Sequence, residues 1–246
     1  MTNSSDLIWF TAENGWQYDE YVRPVFARVY PVIADQILER TGITTGTCLD
    51  VGSGPASLAL ALASLSDLHV TALDSSPEMV ALAHRNIRQR CMEDHVIPAL
   101  GDVQAIPAVG ATFNLVVSRG SFHSWILHPA ALREISRVLR RGGIAYIGGG
   151  YGNARIRDEI YAEFRDRGLL DVRSPPGFSG FRKVEPEEIR ASMGSAGIRN
   201  YRIINDDSGL WIIIRKPEEE QIATMPEAPN SRKDFPVFHN GFFFPQ

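Results

Sequence analysis

A short glycine-rich run directly after an apolar segment constrains this chain more than any other feature. The run is Asp50-Val51-Gly52-Ser53-Gly54, and twenty residues past Gly54 an acidic residue, Asp74, ends a second apolar segment. Glycines let a backbone approach a ligand closely, and an acidic side chain at the end of the next strand can accept hydrogen bonds from two ribose hydroxyls. This order of residues predicts a nucleoside bound at the carboxyl edge of a parallel sheet.

Strand-like and helix-like segments alternate through the first 150 residues. Short apolar runs predict strands at 47–52, 70–73, 96–100, 113–117 and 144–147. Helical spacing of apolar residues predicts helices at 18–29, 31–40, 55–65, 76–90 and 129–141. Pro31 should break or kink the first helical stretch, and Gly142-Gly143 should end the last helix. Because such alternation implies right-handed crossovers, we expect an α/β fold with a doubly wound, mostly parallel sheet.

The pattern loosens after Gly148-Gly149-Gly150. Helices are predicted near 155–168 and 185–196, and two apolar runs at 198–204 and 210–214 flank a turn-forming segment. Two strands joined by such a turn make an antiparallel hairpin, which would close one edge of the sheet. The three glycines indicate backbone close to a ligand, or a mobile hinge.

Composition sets the outer bounds of the function. The 246 residues are 44% hydrophobic and 22% charged, which suits a soluble globular protein. A formal net charge of −4 offers no overall basic field for nucleic acid, although a local basic patch stays open. The two cysteines suggest neither a disulfide framework nor a metal site. The polar first eight residues and the lack of a long apolar stretch predict a cytoplasmic location and no membrane partner.

Five motifs in the right order resemble those of the class I S-adenosylmethionine-dependent methyltransferases, between about residues 45 and 216. They are Asp50-Val51-Gly52-Ser53-Gly54-Pro55-Ala56, Ala72-Leu73-Asp74-Ser75-Ser76-Pro77-Glu78-Met79, Gly101-Asp102-Val103-Gln104-Ala105-Ile106-Pro107, Phe113-Asn114-Leu115-Val116-Val117-Ser118 and Leu139-Arg140-Arg141-Gly142-Gly143. The resemblance implies a Rossmann-like sheet of seven strands with an antiparallel last strand. It also implies an enzyme that uses S-adenosyl-L-methionine and releases S-adenosyl-L-homocysteine.

The resemblance assigns cofactor-binding roles to residues of these motifs. Asp50, Gly52 and Gly54 would shape the pocket for the methionine portion, Asp74 would bind the ribose, and Asp102 with Val103 would hold the adenine. The other predicted cofactor-binding residues are Ser53, Ser75, Met79, Ser118, Tyr18 and Tyr21. Each acidic residue also has an ordinary interpretation as a cap or loop carboxylate, and the joint spacing favours the cofactor. One departure is Ala56, which stands at the third glycine position of the family's first motif.

The segment 118–125, directly after the fourth predicted strand, would face the methyl acceptor. We predict catalytic roles for His123 as a general base, for Arg119 as a partner of an anionic group, and for Tyr151 at the rim. Trp125 would stack on substrate or cofactor, or anchor the core. In-line methyl transfer mainly needs alignment and exclusion of water, and an amine, thiolate or metalloid acceptor needs no base.

A small organic molecule is the predicted substrate class. The chain lacks the Asn-Pro-Pro-Tyr-type sequence associated with methylation of bases and glutamine, and it lacks paired acceptor-side cysteines. Six arginines lie between 151 and 197: Arg155, Arg157, Arg165, Arg167, Arg173 and Arg182. They would favour an anionic substrate, or they form a solvated helix face interleaved with acidic residues.

The predicted organisation has three parts. An N-terminal helical lid covers 1–45, a methyltransferase core covers 46–216 with a helical insertion at about 151–197, and a Pro-rich and aromatic tail covers 217–246. The apolar tail would pack on its own core or in a homodimer.

Two alternatives to a methyltransferase stay open from the sequence. One is a non-catalytic cofactor-binding or regulatory protein on the same fold. The other is an NAD(P)-dependent oxidoreductase. It is disfavoured by Ala56, and by Pro55, which removes an amide donor from the helix start where a diphosphate would bind.

Overall fold

A seven-stranded sheet forms the centre of the computed structural model, which describes residues 23–166 and 184–218. Its strands are β1 (Thr45–Val51), β2 (Asp67–Asp74), β3 (Val96–Leu100), β4 (Phe113–Arg119), β5 (Leu139–Gly149), β6 (Tyr201–Asp206) and β7 (Gly209–Arg215). Their order is β3-β2-β1-β4-β5-β7-β6, and β7 alone runs in the direction opposite to the other six strands. The predicted α/β fold, with a mostly parallel sheet and an antiparallel last strand, is confirmed.

Helices cover both faces of this sheet. They are α1 (Arg23–Phe26), α2 (Val29–Thr41), α3 (Ser57–Leu65), α4 (Pro77–Gln89), α5 (His128–Val138), α6 (Ala154–Asp166) and α7 (Pro186–Ala196), with a short 3-10 helix at Phe122–Ser124. Each face of the sheet packs against its own hydrophobic core. Successive residues of β4 alternate between these two cores: Leu115 and Val117 lie in the first, and Val116 lies in the second. Burial on both faces explains why the central strands read as continuous apolar runs. Across the described residues, every helix is too short or too polar to cross a bilayer.

Pro31 lies inside α2, so the prediction that it breaks the helix is wrong. The break falls earlier, at Ala27 and Arg28, and α2 begins at Val29. A proline in the first turn is tolerated because the first backbone N–H groups of a helix have no partner within it. Residues 18–22, the predicted start of the first helix, lie outside the described residues.

Gly142-Gly143 do not end the helix that precedes them, which corrects a second prediction. Helix α5 ends at Val138, and Leu139 already has extended backbone angles as the first residue of β5. The register with β4 jumps from Phe113 opposite Leu139 to Leu115 opposite Ile144. The glycine pair therefore lies in an irregularity within the strand, where Gly142 adopts a φ of +74°.

The three glycines at 148–150 bring the β6–β7 hairpin against the end of β5. A side chain at Gly150 would overlap the carbonyl oxygen of Ser208, and one at Gly148 would overlap that of Leu210. The close backbone approach that these glycines indicate is thus to the protein's own hairpin. The hairpin itself is confirmed, with Asp206 opposite Gly209 at its turn.

A polar network ties α2 to this hairpin. Arg40 donates to the Tyr146 hydroxyl at 2.6 Å and to Ser208 Oγ at 3.4 Å. Ser208 in turn donates to Asp206 through its backbone N–H and its hydroxyl. Tyr146 is buried in β5, so the hydrogen bond from Arg40 to its hydroxyl joins α2 to the sheet.

Replacing Tyr146 by phenylalanine should destabilise the protein by about 1–2 kcal/mol, because the half-buried Arg40 loses an acceptor. The free energy of unfolding from urea titration measures the effect. In a double-mutant cycle with Arg40→Met, the two changes should couple. Strictly additive effects would show that the hydrogen bond contributes nothing to stability.

Candidate functional site

The carboxyl ends of the five parallel strands β1 to β5 meet at one edge of the sheet, where ligands bind in open α/β folds. These strand ends and the loops that leave them carry the predicted site residues that the structure describes. Tyr18 and Tyr21 lie outside the described residues. The motifs, distant in sequence, are thus adjacent in space.

The glycine loop after β1 is pinned to the end of β2. The backbone N–H groups of Gly52 and Ser53 both donate to the carbonyl of Leu73, at 2.8 and 3.0 Å. Gly54 N–H donates to Asp74 Oδ2 at 2.7 Å. Gly52 and Gly54 have φ angles of +65° and +54°, which glycine adopts without strain. The spacing between the glycines and Asp74 therefore reflects direct contact.

Asp74 holds two loops with one carboxylate. Its Oδ2 accepts from Gly54, and its Oδ1 accepts from Ser76 N–H at 3.0 Å. Ser76 caps α4 by accepting from Met79 N–H at 3.2 Å, as its sequence context predicts. Burial raises the pKa of Asp74, against the opposing effect of these backbone N–H groups. Because a carboxylate oxygen can accept two hydrogen bonds, Asp74 can still accept hydrogen bonds from the hydroxyl groups of a ligand.

Asp50 and Ser53 present buried polar atoms beside this loop. Asp50 is 1% exposed, and its Oδ2 has no hydrogen-bond partner within residues 23–166 and 184–218. Burial raises the pKa of Asp50 to about 7; the Ala59 N–H opposes this, and the Asp74 charge adds to it. Ser53 Oγ is likewise buried and unpartnered in the same ranges. These atoms make the loop a polar cradle suited to a cation or a hydrogen-bonding ligand.

Ala56 adopts the backbone conformation that explains the glycine of the family motif. Its φ is +64° and its ψ +27°, and it is fully buried at the start of α3. An alanine in the left-handed region costs about 1–2 kcal/mol of backbone strain. The departure from the family pattern is therefore a matter of strain at the helix start.

The 101–108 loop is clamped to α5. Glu134 accepts from Ile106 N–H at 2.9 Å, while Arg137 donates to the carbonyls of Ile106 and Ala108 at 3.0 and 2.7 Å. Asp102 is exposed and accepts from Gln104 N–H at 2.8 Å, whereas Val103 is buried. Sequence reasoning missed this clamp; the only signal is an acid–base pair three residues apart on a predicted helix.

Arg119 and Tyr151 come together at the ends of β4 and β5. Arg119 donates to the Gly150 carbonyl through Nε and Nη2, at 3.3 and 3.0 Å. Its guanidinium lies 4.9 Å from the ring centroid of Phe26 and 5.4 Å from that of Tyr30. Tyr151 stacks on Phe26, with 6.0 Å between centroids. Burial, then a hydrogen bond with Tyr161, raises the pKa of Tyr151 well above its usual value, so it stays protonated at neutral pH.

His123 is half-buried in the 3-10 helix beyond β4. Burial lowers its pKa to about 4, and the positive charges of Arg119 and His128 add to the effect. The imidazole is therefore neutral at pH 7. A neutral imidazole can accept a proton, although a low pKa makes it a weak base.

Trp125 and Ser118 face the protein interior. Trp125 is 8% exposed, packs on Phe122 at 5.0 Å between centroids, and donates its indole N–H to Ser121 Oγ at 3.1 Å. This environment favours the core-anchor interpretation of Trp125. Ser118 is fully buried, with its hydroxyl 2.7 Å from that of Ser121. Sequence reasoning gave Ser121 no role of its own, although it contacts Ser118, Trp125 and the Val51 carbonyl, because a serine in a polar loop carries no distinct signal.

Two of the three arginines of α6, Arg155 and Arg157, pair with acidic neighbours. Arg155 lies 3.5 Å from Glu159, and Arg157 lies 3.0 Å from Asp158 and 3.6 Å from Asp207. These contacts favour the solvated-face interpretation for the two arginines. Arg167, Arg173 and Arg182 lie outside the described residues. The described ranges hold no group of three or more residues suited to bind a metal ion.

Comparisons with known proteins agree with this geometry. A family profile described as a methyltransferase domain matches residues 48–143. A crystal structure from Methanococcus maripaludis, assigned as an S-adenosyl-L-methionine-dependent methyltransferase, is 38% identical, covers 89% of this chain and 100% of its own, and has a TM-score of 0.76.

Two relatives with named activities also match. The malonyl-[acyl-carrier protein] O-methyltransferase of Geobacter sulfurreducens is 28% identical over 189 residues, covering 72% of this chain and 67% of that protein. The 27-O-demethylrifamycin SV methyltransferase of Amycolatopsis mediterranei is 23% identical, covering 69% and 77%. Identity of 38% across a whole neighbour, on this fold and with these motifs, shows that the chain belongs to the S-adenosyl-L-methionine-dependent methyltransferase family.

Proposed function

We propose that this methyltransferase acts on a small molecule whose anionic or hydroxyl group lies over the ends of β4 and β5. The observation that carries the proposal is the position of Arg119. Its guanidinium is held at the end of β4 by the Gly150 carbonyl and by two aromatic rings. The names of the relatives support an oxygen acceptor, because one is an O-methyltransferase and the other acts on 27-O-demethylrifamycin SV.

The residues of the glycine loop fit S-adenosyl-L-methionine. Asp50 Oδ2 and Ser53 Oγ are buried polar atoms without partners in the described ranges, and the α-ammonium and carboxylate of the cofactor would pair with such groups. A side chain added at Gly54 would meet only Met79 Sδ, at 4.0 Å, so the space beside Gly54 is open. In the proposed site Asp74 accepts the ribose hydroxyls, Ser75 and Met79 line the ribose side, and Asp102 and Val103 hold the adenine.

The acceptor side positions and desolvates the substrate. When bound, the cofactor supplies an electrophilic methyl group on a sulfonium. Arg119 orients an anionic group of the substrate, and the aromatic rings of Phe26 and Tyr151 exclude water. His123 is neutral and accepts a proton only from an acidic acceptor, while a carboxylate acceptor needs no base. On this side Ser118 is buried and hydrogen-bonds to Ser121.

The proposal includes the division of the chain and its setting. The proposal keeps the predicted division of the chain: a lid at 1–45 that includes Tyr18 and Tyr21, a core at 46–216 with an insertion at about 151–197, and a tail at 217–246 that packs on its own core or in a homodimer. Tyr18, Tyr21 and residues 219–246 lie outside the described residues. A cytoplasmic location belongs to the same proposal. The rival function, a non-catalytic regulatory protein, is separated by an assay for transfer of labelled methyl groups to a panel of small hydroxy and carboxy acids.

Asp74→Ala should weaken binding of S-adenosyl-L-homocysteine by about 10- to 100-fold, because a charged acceptor of two hydrogen bonds is lost. Isothermal calorimetry measures the affinity. Asp67→Ala is a matched control, because Asp67 is exposed at the opposite end of the same strand. Equal affinity of the Asp74 variant and the wild type would place the ribose elsewhere.

Asp50→Asn should stabilise the ligand-free protein at high pH while weakening cofactor binding. Since the folded-state pKa of about 7 lies above the usual 3.8, the native state binds more protons, and the free energy of unfolding falls as pH rises from about 4 to 7. At about 1.4 kcal/mol per pKa unit, the variant should gain about 2–4 kcal/mol at pH 8 and little at pH 4. Urea titrations at several pH values test this. A gain that does not vary with pH would contradict it.

His123→Asn should lower kcat about 10²-fold for an acidic hydroxyl acceptor such as a phenol, because the low pKa of His123 makes it a weak base, and leave a carboxylate acceptor nearly unaffected. The wild-type rate on the hydroxyl acceptor should fall only below about pH 5, where the imidazole becomes protonated. His84→Asn, on the exposed face of α4, is the control. Full activity of His123→Asn on every acceptor would remove the histidine from the reaction.

A further inference from the structure

The hydroxyl of Ser121 lies where the loop after β4 meets the glycine loop after β1. It donates to the carbonyl of Val51 at 3.1 Å and accepts from the indole N–H of Trp125 at 3.1 Å. The Ser118 hydroxyl lies 2.7 Å away. A serine hydroxyl has one proton and two lone pairs, so with its proton on Val51 it accepts from both Ser118 and Trp125. All of its hydrogen-bonding capacity is used.

The same side chain fills the space above Gly52. A Cβ at Gly52 would overlap Cβ and Oγ of Ser121, so the glycine is required by this contact as well as by its φ of +65°. On its other side the loop is held by the Leu73 carbonyl, which accepts from Gly52 and Ser53. The glycine loop is therefore fixed between β2 and Ser121.

The loop that carries Ser121 also carries the acceptor-side residues. Arg119 lies two residues before it and His123 two residues after it, while Ser124 donates to the Ser121 carbonyl at 2.6 Å. Trp125, whose indole N–H is hydrogen-bonded to Ser121, packs on Phe122 in the hydrophobic core that also contains Val116. A displacement of the glycine loop would thus be passed through one hydroxyl to the segment that faces the acceptor.

We propose that Ser121 is a positioning residue that holds the glycine loop in its cofactor-binding shape and couples cofactor binding to the acceptor-side segment 118–125. The inference rests on the proposed cofactor site. Loss of the hydroxyl leaves the buried residues Val51, Ser118 and Trp125 each short of one hydrogen-bond partner, which loosens the loop. The strands beneath keep their own hydrogen bonds, so affinity should suffer more than folding.

The first experiment compares Ser121→Ala with Ser64→Ala and wild type. Calorimetry should show about 5- to 20-fold weaker binding of S-adenosyl-L-homocysteine for Ser121→Ala only. Ser64 is the matched control because its hydroxyl bonds to Leu60 within α3, in an exposed position. Binding should also change the tryptophan fluorescence of the wild type, and this change should be lost in Trp125→Phe and reduced in saturated Ser121→Ala.

The outcomes separate this inference from the proposed site. Wild-type affinity in Ser121→Ala, with affinity lost in Asp74→Ala, overturns the role of Ser121 and leaves the cofactor site standing. Wild-type affinity in both variants overturns both proposals. A fluorescence response that persists in Trp125→Phe overturns the coupling.

If Ser121→Ala does not fold, the contact can be tested by enlarging the side chain at Gly52 and shrinking the one at Ser121. Gly52→Ala should weaken binding because the added methyl group overlaps Ser121. Adding Ser121→Gly to Gly52→Ala removes the overlap and should recover part of the affinity, although the strained φ at position 52 remains. A double variant that binds no better than Gly52→Ala overturns the proposed contact.

Discussion

The hydrogen bonds between the end of β2 and the glycine loop are the constraint on which the site depends. The Leu73 carbonyl and the Asp74 carboxylate together accept from Gly52, Ser53 and Gly54, so three consecutive N–H groups point at one strand end. This arrangement turns the loop back over the sheet and leaves its outer surface open. The same carboxylate accepts from Ser76 at the start of α4. One side chain therefore sets the shape of two loops, and the proposed cofactor site lies between them.

In the proposed site, the buried Asp50 that would pair with a charged ligand lowers the stability of the ligand-free protein. Asp50 is buried with its pKa raised to about 7, so keeping it ionised at neutral pH costs folding free energy. Arg119, in contrast, keeps its charge at lower cost because a carbonyl and two aromatic faces surround the guanidinium. In the proposed site, the cofactor side offers an acid whose Oδ2 has no partner among the described residues, and the acceptor side offers a cation held by a carbonyl and two aromatic rings. This asymmetry suits a cationic cofactor and an anionic or hydroxyl substrate.

Local signals predicted the elements well where a single property dominated. The apolar runs of the buried strands and the Ser76-Pro77 helix start are such cases, because they depend only on neighbouring residues. Prediction failed where two outcomes share one local signal. Pro31 breaks a helix interior and is harmless in a first turn, and Gly142-Gly143 suit a helix end and a strand irregularity equally. The assignment of individual side chains to cofactor and acceptor stays a prediction.

The sequence by itself determined the α/β class, the family resemblance and the loop that would hold the nucleoside, because motif order and strand–helix alternation are readable along the chain. Only the tertiary structure decided which side chains support that loop. Ser121 against Gly52, Arg119 against Gly150, and Arg137 against Ile106 join segments separated by about thirty to seventy residues. Such contacts leave no pattern in either segment, since each depends on the strand order of the sheet and on which loop ends at the same edge.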